Sequence, residues 1–127
     1  MPSTPERRDV AARARTLLPG LLDDLVRLAS IPSIATDGFP TGPLHEAHRL
    51  VVELLRRAGA TSVEEMILPG MTTPTAIADV AGPEGAPTVL VYTHYDVVPE
   101  GDPTLWDRPA FETSVHDGAV HGRGVAD

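Results

Sequence analysis

One stretch decides the fold: Thr88-Val89-Leu90-Val91-Tyr92-Thr93 is followed directly by His94-Tyr95-Asp96-Val97-Val98-Pro99. The first six residues are nearly all apolar or β-branched, and such a run predicts a strand buried on both faces, as in the centre of an α/β sheet. His94 then follows the carboxyl end of that strand, the edge at which open α/β sheets place their ligand sites. The sequence therefore predicts an interior strand at 88–93 with a candidate site at its end.

His94 and Asp96 are the candidate site residues of this stretch. They are two positions apart, a spacing that puts both side chains on one face of an extended segment. Imidazole binds zinc-like ions, and a neighbouring carboxylate can accept the other ring N–H, which fixes the tautomer and raises the basicity. An ordinary hydrogen-bonded His–Asp pair explains the same two residues, so the pair alone does not assign a metal site.

Two helical patterns precede the stretch. Apolar residues recur at three- and four-residue spacing over 17–29 and again over 43–58, which predicts two amphipathic helices. The Pro19-Gly20 pair predicts a kink or a fresh start within the first helix, and Gly59 predicts the end of the second.

Short β-prone runs follow the helices. Strands are predicted at 62–68 and 75–80, and a hairpin is predicted at 112–121 with Asp117-Gly118 as its turn. Helices followed by strands predict an α/β fold in which helices pack on a mixed sheet.

The composition limits the kinds of partner. The chain has 127 residues, enough for one domain, and a net charge of −8, which excludes a nucleic-acid surface because phosphate binding needs concentrated positive charge. No run approaches the roughly 20 apolar residues of a membrane span. The polar first ten residues lack the apolar core of a signal peptide, so a cytoplasmic address is expected. Cys is absent, and any metal site must use His nitrogen and carboxylate oxygen.

Several short motifs between Thr88 and Asp127 resemble the M20 family of metallopeptidases in order and spacing. They are His94-Tyr95-Asp96-Val97-Val98-Pro99, Leu105-Trp106, Pro109-Ala110-Phe111-Glu112, Asp117-Gly118 and Gly122-Arg123-Gly124-Val125-Ala126-Asp127. A looser likeness covers the N-terminal half, where Leu28-Ala29-Ser30-Ile31-Pro32-Ser33 resembles the family's first helix and its exit. Several motifs in register are far more specific than any one of them.

The resemblance implies roles for three residues. His94 would be a ligand of one metal ion, Asp96 would hold its imidazole in place, and Asp127 would bridge two ions. The ions would be zinc, with cobalt or manganese as substitutes, in a catalytic domain of the di-metal aminopeptidase type. Two such ions can activate a bridging water and polarise the scissile carbonyl together. The expected substrate is a small peptide, and an N-acyl amino acid is the alternative within the same family.

The resemblance also implies that further parts of such an enzyme lie beyond Asp127. The family's general-base Glu, its remaining carboxylate and His ligands, and its lid and dimerisation domain are expected downstream. Residues 1–127 are therefore expected to be the N-terminal portion of the catalytic domain and inactive alone, with a homodimer possible for the full-length protein. A non-catalytic remnant or metal-binding module is the alternative from a different class.

The other notable side chains have ordinary explanations. His45 and His48 lie three apart on the second helix but do not form a His-Glu-x-x-His motif, so we expect ordinary helix histidines. His116 and His121 bracket the hairpin turn and are expected to be structural or solvent-facing. For Trp106 and Arg123, two interpretations each stay open. Trp106 either walls a substrate cleft or pins its loop through its N–H, and Arg123 either steadies the Asp127 segment or is a surface residue.

Overall fold

A computed structural model describes residues 4–126, with side chains described from residue 9 onward. Helix α1 spans Thr4–Ala29, and helix α2 spans Gly42–Arg57. Both predicted helices are confirmed, although α1 begins well before residue 17 and continues through Pro19. Gly59 follows the end of α2 with a φ of 98°, a left-handed conformation that glycine adopts without steric cost.

The strands form two antiparallel hairpins. β1 (Ser62–Met66) pairs with β2 (Thr75–Asp79), and this hairpin packs against α2. β3 (Ser114–His116) pairs with β4 (Ala119–His121). The turn between β3 and β4 is the predicted Asp117-Gly118 pair, whose φ angles of 53° and 75° match the left-handed pair that a two-residue hairpin turn requires.

The predicted interior strand at 88–93 is wrong for the residues that the structure describes. These six residues have no regular secondary structure and belong to neither hairpin. Leu90 is 91% exposed and Tyr92 is 89% exposed. A central strand needs hydrogen-bonding neighbours on both edges and packed layers on both faces, and residues 4–126 supply neither at this place. The apolar pattern alone does not form a strand here, because no strand among residues 4–126 pairs with it.

The apolar core lies between the end of α1, its exit loop and α2. Its members are Ala29, Ile31, Ile34, Leu44, Ala47, Leu50 and Val52. Arg57 makes two hydrogen bonds to the Asp24 carboxylate, at 3.1 and 2.9 Å, and these join the two helices at the rim of the core. The helix-and-sheet architecture confirms the α/β class. None of the helices in the described part of the chain is long and apolar enough to cross a membrane.

Candidate metal centre

The segment that carries His94 and Asp96 is held against the helical core by its neighbours. The Tyr95 ring packs on the cluster of Ile31, Ala47 and Leu50, and its hydroxyl donates to the carbonyl of Pro74. Burial raises the pKa of the Tyr95 hydroxyl, and the nearby charge of Asp96 raises it further. Tyr95 is therefore a neutral anchor that points into the core, whereas the two flanking side chains project from the segment.

His94 and Asp96 lie together, as their spacing predicts. The Nδ1 atom of His94 is 3.0 Å from the backbone carbonyl oxygen of Asp96 and 3.4 Å from its carboxylate Oδ1. Because a carbonyl oxygen can only accept, Nδ1 carries a proton, and in a neutral ring the lone pair then lies on Nε2. The shorter contact is to the backbone rather than to the carboxylate, a detail that the sequence pattern did not predict. Both side chains are about half exposed.

Residues 122–126 pass close to this segment. Gly124 has a φ of +83°, and a Cβ built on it would lie 2.6 Å from Cγ1 of Val97, the residue directly after Asp96. Gly122 is similarly confined, since its Cβ would lie 2.8 Å from the hydroxyl of Thr113. Glycine at 124 therefore lets the chain approach Val97 in the segment that carries His94, and glycine at 122 lets it approach Thr113 and Ala110.

Arg123 also holds the segment of residues 122–126 in place. Its backbone N–H donates to Ala110 at 2.7 Å, and its guanidinium donates to the backbone carbonyl of Glu100 at 2.9 Å. The guanidinium also lies over the Trp106 ring, 5.0 Å from the centroid, and the Trp106 indole N–H donates to the Glu100 carbonyl at 3.0 Å. Of the interpretations offered for these residues, the steadying Arg123 and the loop-pinning Trp106 are confirmed.

Trp106, Arg123 and Glu100 together form a clamp. An open cavity of about 450 Å³ lies beside this clamp. Its lining is mostly apolar, with acidic groups among the lining residues: Glu100, Pro103, Trp106, Asp107, Arg108, Pro109, Ala110, Phe111 and Glu112. Trp106 therefore lines a concavity as well as pinning its loop. The Glu100 carbonyl accepts hydrogen bonds from the side chains of both Trp106 and Arg123. This acceptor was not predicted, because every residue has a backbone carbonyl and the residue type does not show which one accepts.

Asp127 lies outside the described residues, so its predicted approach to His94 stays a prediction. Ala126 is the last described residue. Among residues 4–126, no group of three or more His, Asp or Glu side chains could hold a metal ion.

The remaining histidines behave as ordinary residues. His48 is buried in α2, and its Nε2 lies 2.8 Å from the Glu65 carboxylate. His116 and His121 are exposed and stack on each other, with ring centroids 3.8 Å apart and an interplanar angle of 4°. Both outcomes agree with the expectation of structural or solvent-facing histidines.

Known proteins match this chain in sequence. Residues 90–127 match the Peptidase family M20/M25/M40. Succinyl-diaminopimelate desuccinylase of Xanthobacter autotrophicus is 36% identical over 109 residues, which cover 84% of this chain and 26% of that protein. The cysteinylglycine-S-conjugate dipeptidase of Corynebacterium striatum is 50% identical over 42 residues, which cover 33% of this chain and 9% of that protein. The chain thus spans about a quarter or less of the length of these relatives.

A solved structure matches the fold. The di-peptidase Dug1p of Saccharomyces cerevisiae superposes with a TM-score of 0.76 over 89% of this chain and 26% of its own, at 24% sequence identity. The superposition confirms the α/β architecture, and the family match at 90–127 contains His94 and the glycine-bracketed Arg123. The chain belongs to the M20/M25/M40 family of peptidases.

Proposed function

We propose that residues 1–127 contribute the first half of a two-metal site that hydrolyses peptide bonds in small peptides. His94 would bind one ion through Nε2, Asp96 would orient the His94 ring, and Asp127 would bridge the two ions. The observation that carries the proposal is the packing of Gly124 on Val97, because it brings the backbone that leads to Asp127 against the backbone that leads from Asp96.

The donor atoms suit zinc. Imidazole nitrogen and carboxylate oxygen are the ligands that zinc takes when thiolates are absent, and the chain has no Cys. Cobalt and manganese accept the same atoms. The Nδ1 contact to Asp96 fits this assignment because it leaves the Nε2 lone pair as the metal-binding one. Bound ions would supply a polarised carbonyl and a water of lowered pKa.

The residues of this chain have three tasks in such a site. His94 presents a nitrogen in a fixed tautomer, and Asp96 receives the proton-bearing side of the ring. The clamp of Trp106, Arg123 and Glu100 fixes the turn of residues 122–125 that precedes Asp127. The cavity beside it has apolar walls with acidic groups and Arg108 among its lining residues, features that suit the side chain and the charged groups of a short peptide.

Hydrolysis of an N-acyl amino acid is the second candidate. The observation that favours it is the longer alignment, because the relative matched over 84% of this chain is a succinyl-diaminopimelate desuccinylase. A non-catalytic metal-binding module is the third, and it differs from both in predicting zinc binding without turnover in any longer version of the chain.

Zinc titration of a chain extended to the length of the family's members tests the metal assignment. We expect the imidazole ¹⁵N signals of His94 to shift with zinc and those of His45 and His116 to stay in place. His94→Ala should weaken zinc binding at least about 10-fold, the scale of losses at metal-site residues, whereas His116→Ala should leave it unchanged. Asp127→Asn should weaken binding in the same direction as His94→Ala. Equal losses in the His94 and His116 variants would overturn the assignment.

A further inference from the structure

Ser33 is the most deeply buried polar side chain near the site. It is 1% exposed and lies in the loop that leaves α1, far in sequence from the residues that it touches. Its hydroxyl donates to the carbonyl of Tyr95 at 2.9 Å, and its own carbonyl accepts from the N–H of Val97, also at 2.9 Å. One residue therefore binds the chain immediately before and immediately after Asp96.

These two hydrogen bonds fix both peptide planes that flank Asp96. The Tyr95 carbonyl belongs to the plane before Asp96, and the Val97 N–H belongs to the plane after it. With both planes held, the φ and ψ angles of Asp96 have little freedom. The second plane also contains the Asp96 carbonyl, the atom that lies 3.0 Å from His94 Nδ1. The Ser33 hydroxyl thus holds the plane before Asp96, and the Ser33 backbone carbonyl holds the plane that contains the acceptor of the His94 ring.

The other anchors of this segment do not do the same. The Tyr95 ring is held by the carbonyl of Pro74 and by the core, but side-chain anchors leave the peptide planes free to rotate. The parallel bridge between Ile34 and Val97 contains the backbone bond from Val97 to Ser33, which any residue at position 33 would keep, so the bond that depends on serine is the hydroxyl bond to Tyr95. Ser33 itself is fixed, because its N–H donates to Ile31 at 2.7 Å.

We propose that Ser33 is a positioning residue that holds the Asp96 backbone so that the His94 ring keeps one orientation and one tautomer. The proposal rests on the proposed function for its meaning, since a fixed Nε2 matters because His94 is assigned as a metal ligand. The orientation and the tautomer of the His94 ring can be measured without metal. The role of Ser33 can therefore be supported or contradicted separately from the proposed function.

The test compares Ser33→Ala, Ser33→Cys and Ser30→Ala in the full chain. Ser30 is the matched control, because its hydroxyl also donates to a backbone carbonyl, that of Val26 at 2.8 Å, but at the exposed end of α1. The readout is the imidazole ¹⁵N spectrum of His94 without metal at about pH 8, above the range in which unperturbed imidazoles titrate. Far-ultraviolet circular dichroism and thermal melting report whether each variant folds.

We expect Ser33→Ala to convert a single Nδ1–H spectrum of His94 into a mixture of tautomers, while Ser30→Ala keeps the wild-type spectrum. Ser33→Cys separates space-filling from hydrogen bonding, because a thiol has nearly the hydroxyl's volume but is a weak donor. A Cys variant with the mixed spectrum supports the proposal even if the Ala variant does not fold. A folded Ser33→Ala or Ser33→Cys variant with the wild-type His94 spectrum overturns it, as does a Ser30→Ala variant with the mixed spectrum.

A zinc arm links the result to the site. If His94 binds zinc, each Ser33 variant should bind it about 10-fold more weakly, in line with losses at groups that orient a ligand. Absence of any zinc-dependent shift at His94 in a chain extended to the length of the family's members would contradict the proposed function, whereas the metal-free spectra would still decide the role of Ser33.

Discussion

Two parts of the chain differ in what their apolar side chains contact. The helical part is residues 22–66, from the last turns of α1 through α2 to β1, and the loop part is residues 80–126, in which the only strands are the short β3 and β4. In the first, Leu44 and Ala47 are 3% and 0% exposed. In the second, Leu90 and Tyr92 are about nine-tenths exposed, and Ala110 is the one apolar residue of the described range that is buried. Helices make their backbone hydrogen bonds locally and need one covering partner, whereas a central strand depends on neighbours distant in sequence. The apolar side chains of the helical part are thus covered by described residues, Tyr95 among them, whereas those of residues 88–93 are not.

The largest effect concerns activity. Because residues 4–126 supply no metal-binding group of three ligands, we expect residues 1–127 with zinc, cobalt or manganese to hydrolyse neither dipeptides nor N-acyl amino acids appreciably. A missing general base alone typically costs about 10²–10⁴-fold in rate. The comparison is with a version extended to the length of the family's members, assayed under the same conditions. Metal-dependent turnover by the short chain at a rate near that of the long one would contradict the proposed division of the site.

The second effect compares one leucine from each part. Leu50→Ala removes a buried side chain of the core and should lower the free energy of unfolding by about 2–5 kcal/mol. Leu90→Ala removes a side chain that is 91% exposed and should change it by less than about 0.5 kcal/mol. Urea unfolding of residues 1–127 measures both. Similar losses in the two variants would mean that the 88–93 segment is packed in solution, and the contrast between the two parts would fail.

The third effect isolates the contact between Gly124 and Val97. Gly124→Ala combines a left-handed φ with a collision at Val97, and we expect a loss of about 2–4 kcal/mol. Gly101→Ala is the matched control, since its φ of +77° carries the same backbone cost but a Cβ there meets nothing within 4 Å. Denaturant unfolding of both variants gives the difference. Adding Val97→Ala to Gly124→Ala should recover part of the loss, and no recovery would argue against the contact.

The smallest effect is the pH dependence at Asp102. Hydrogen bonds from the Thr104 hydroxyl and backbone N–H hold the pKa of the Asp102 carboxyl below its usual value. A lowered pKa in the folded state stabilises the fold above the unfolded pKa, about 3.9, and this contribution disappears as the pH falls through the folded pKa. Thr104→Val should move the Asp102 pKa part of the way back up, measured by ¹³C titration of the carboxyl, whereas Thr104→Ser should not.

Local pattern was enough to predict the helices and the tight hairpin. The end of α2 at Gly59 and the turn at Asp117-Gly118 depend on the left-handed conformation that these residues adopt, which is a property of the residue itself. The pairing of His94 with Asp96 was also predictable, because two-residue spacing acts within one segment. Arg123 could be assigned only as one of two interpretations, since its partner is a carbonyl.

The remaining features depend on residues far apart in sequence. Residues 88–93 have the composition of a buried strand, but a strand forms only when neighbouring strands pair with it, and none does here among residues 4–126. Ser33 was noted only as part of a family-like loop, because a buried serine has no periodic signature. Its hydrogen bond to Tyr95 joins residues 62 positions apart, and a pattern of neighbouring residues does not indicate a contact at that separation. A polar residue directly before a buried apolar one, as in Ser33-Ile34, is the only local hint.

The course of α1 through Pro19 has a consequence for amide hydrogen exchange. Proline has no N–H, so the Arg15 carbonyl lacks its partner one turn later, and residues 9–21 are exposed throughout. Amides in this first stretch should exchange through local fraying, on the timescale of an uncovered helix. Amides of residues 22–29, which approach and join the core, should exchange only when the core itself opens. A single helix would then give two exchange classes that meet just after Pro19, and the slower class would report the stability of the core.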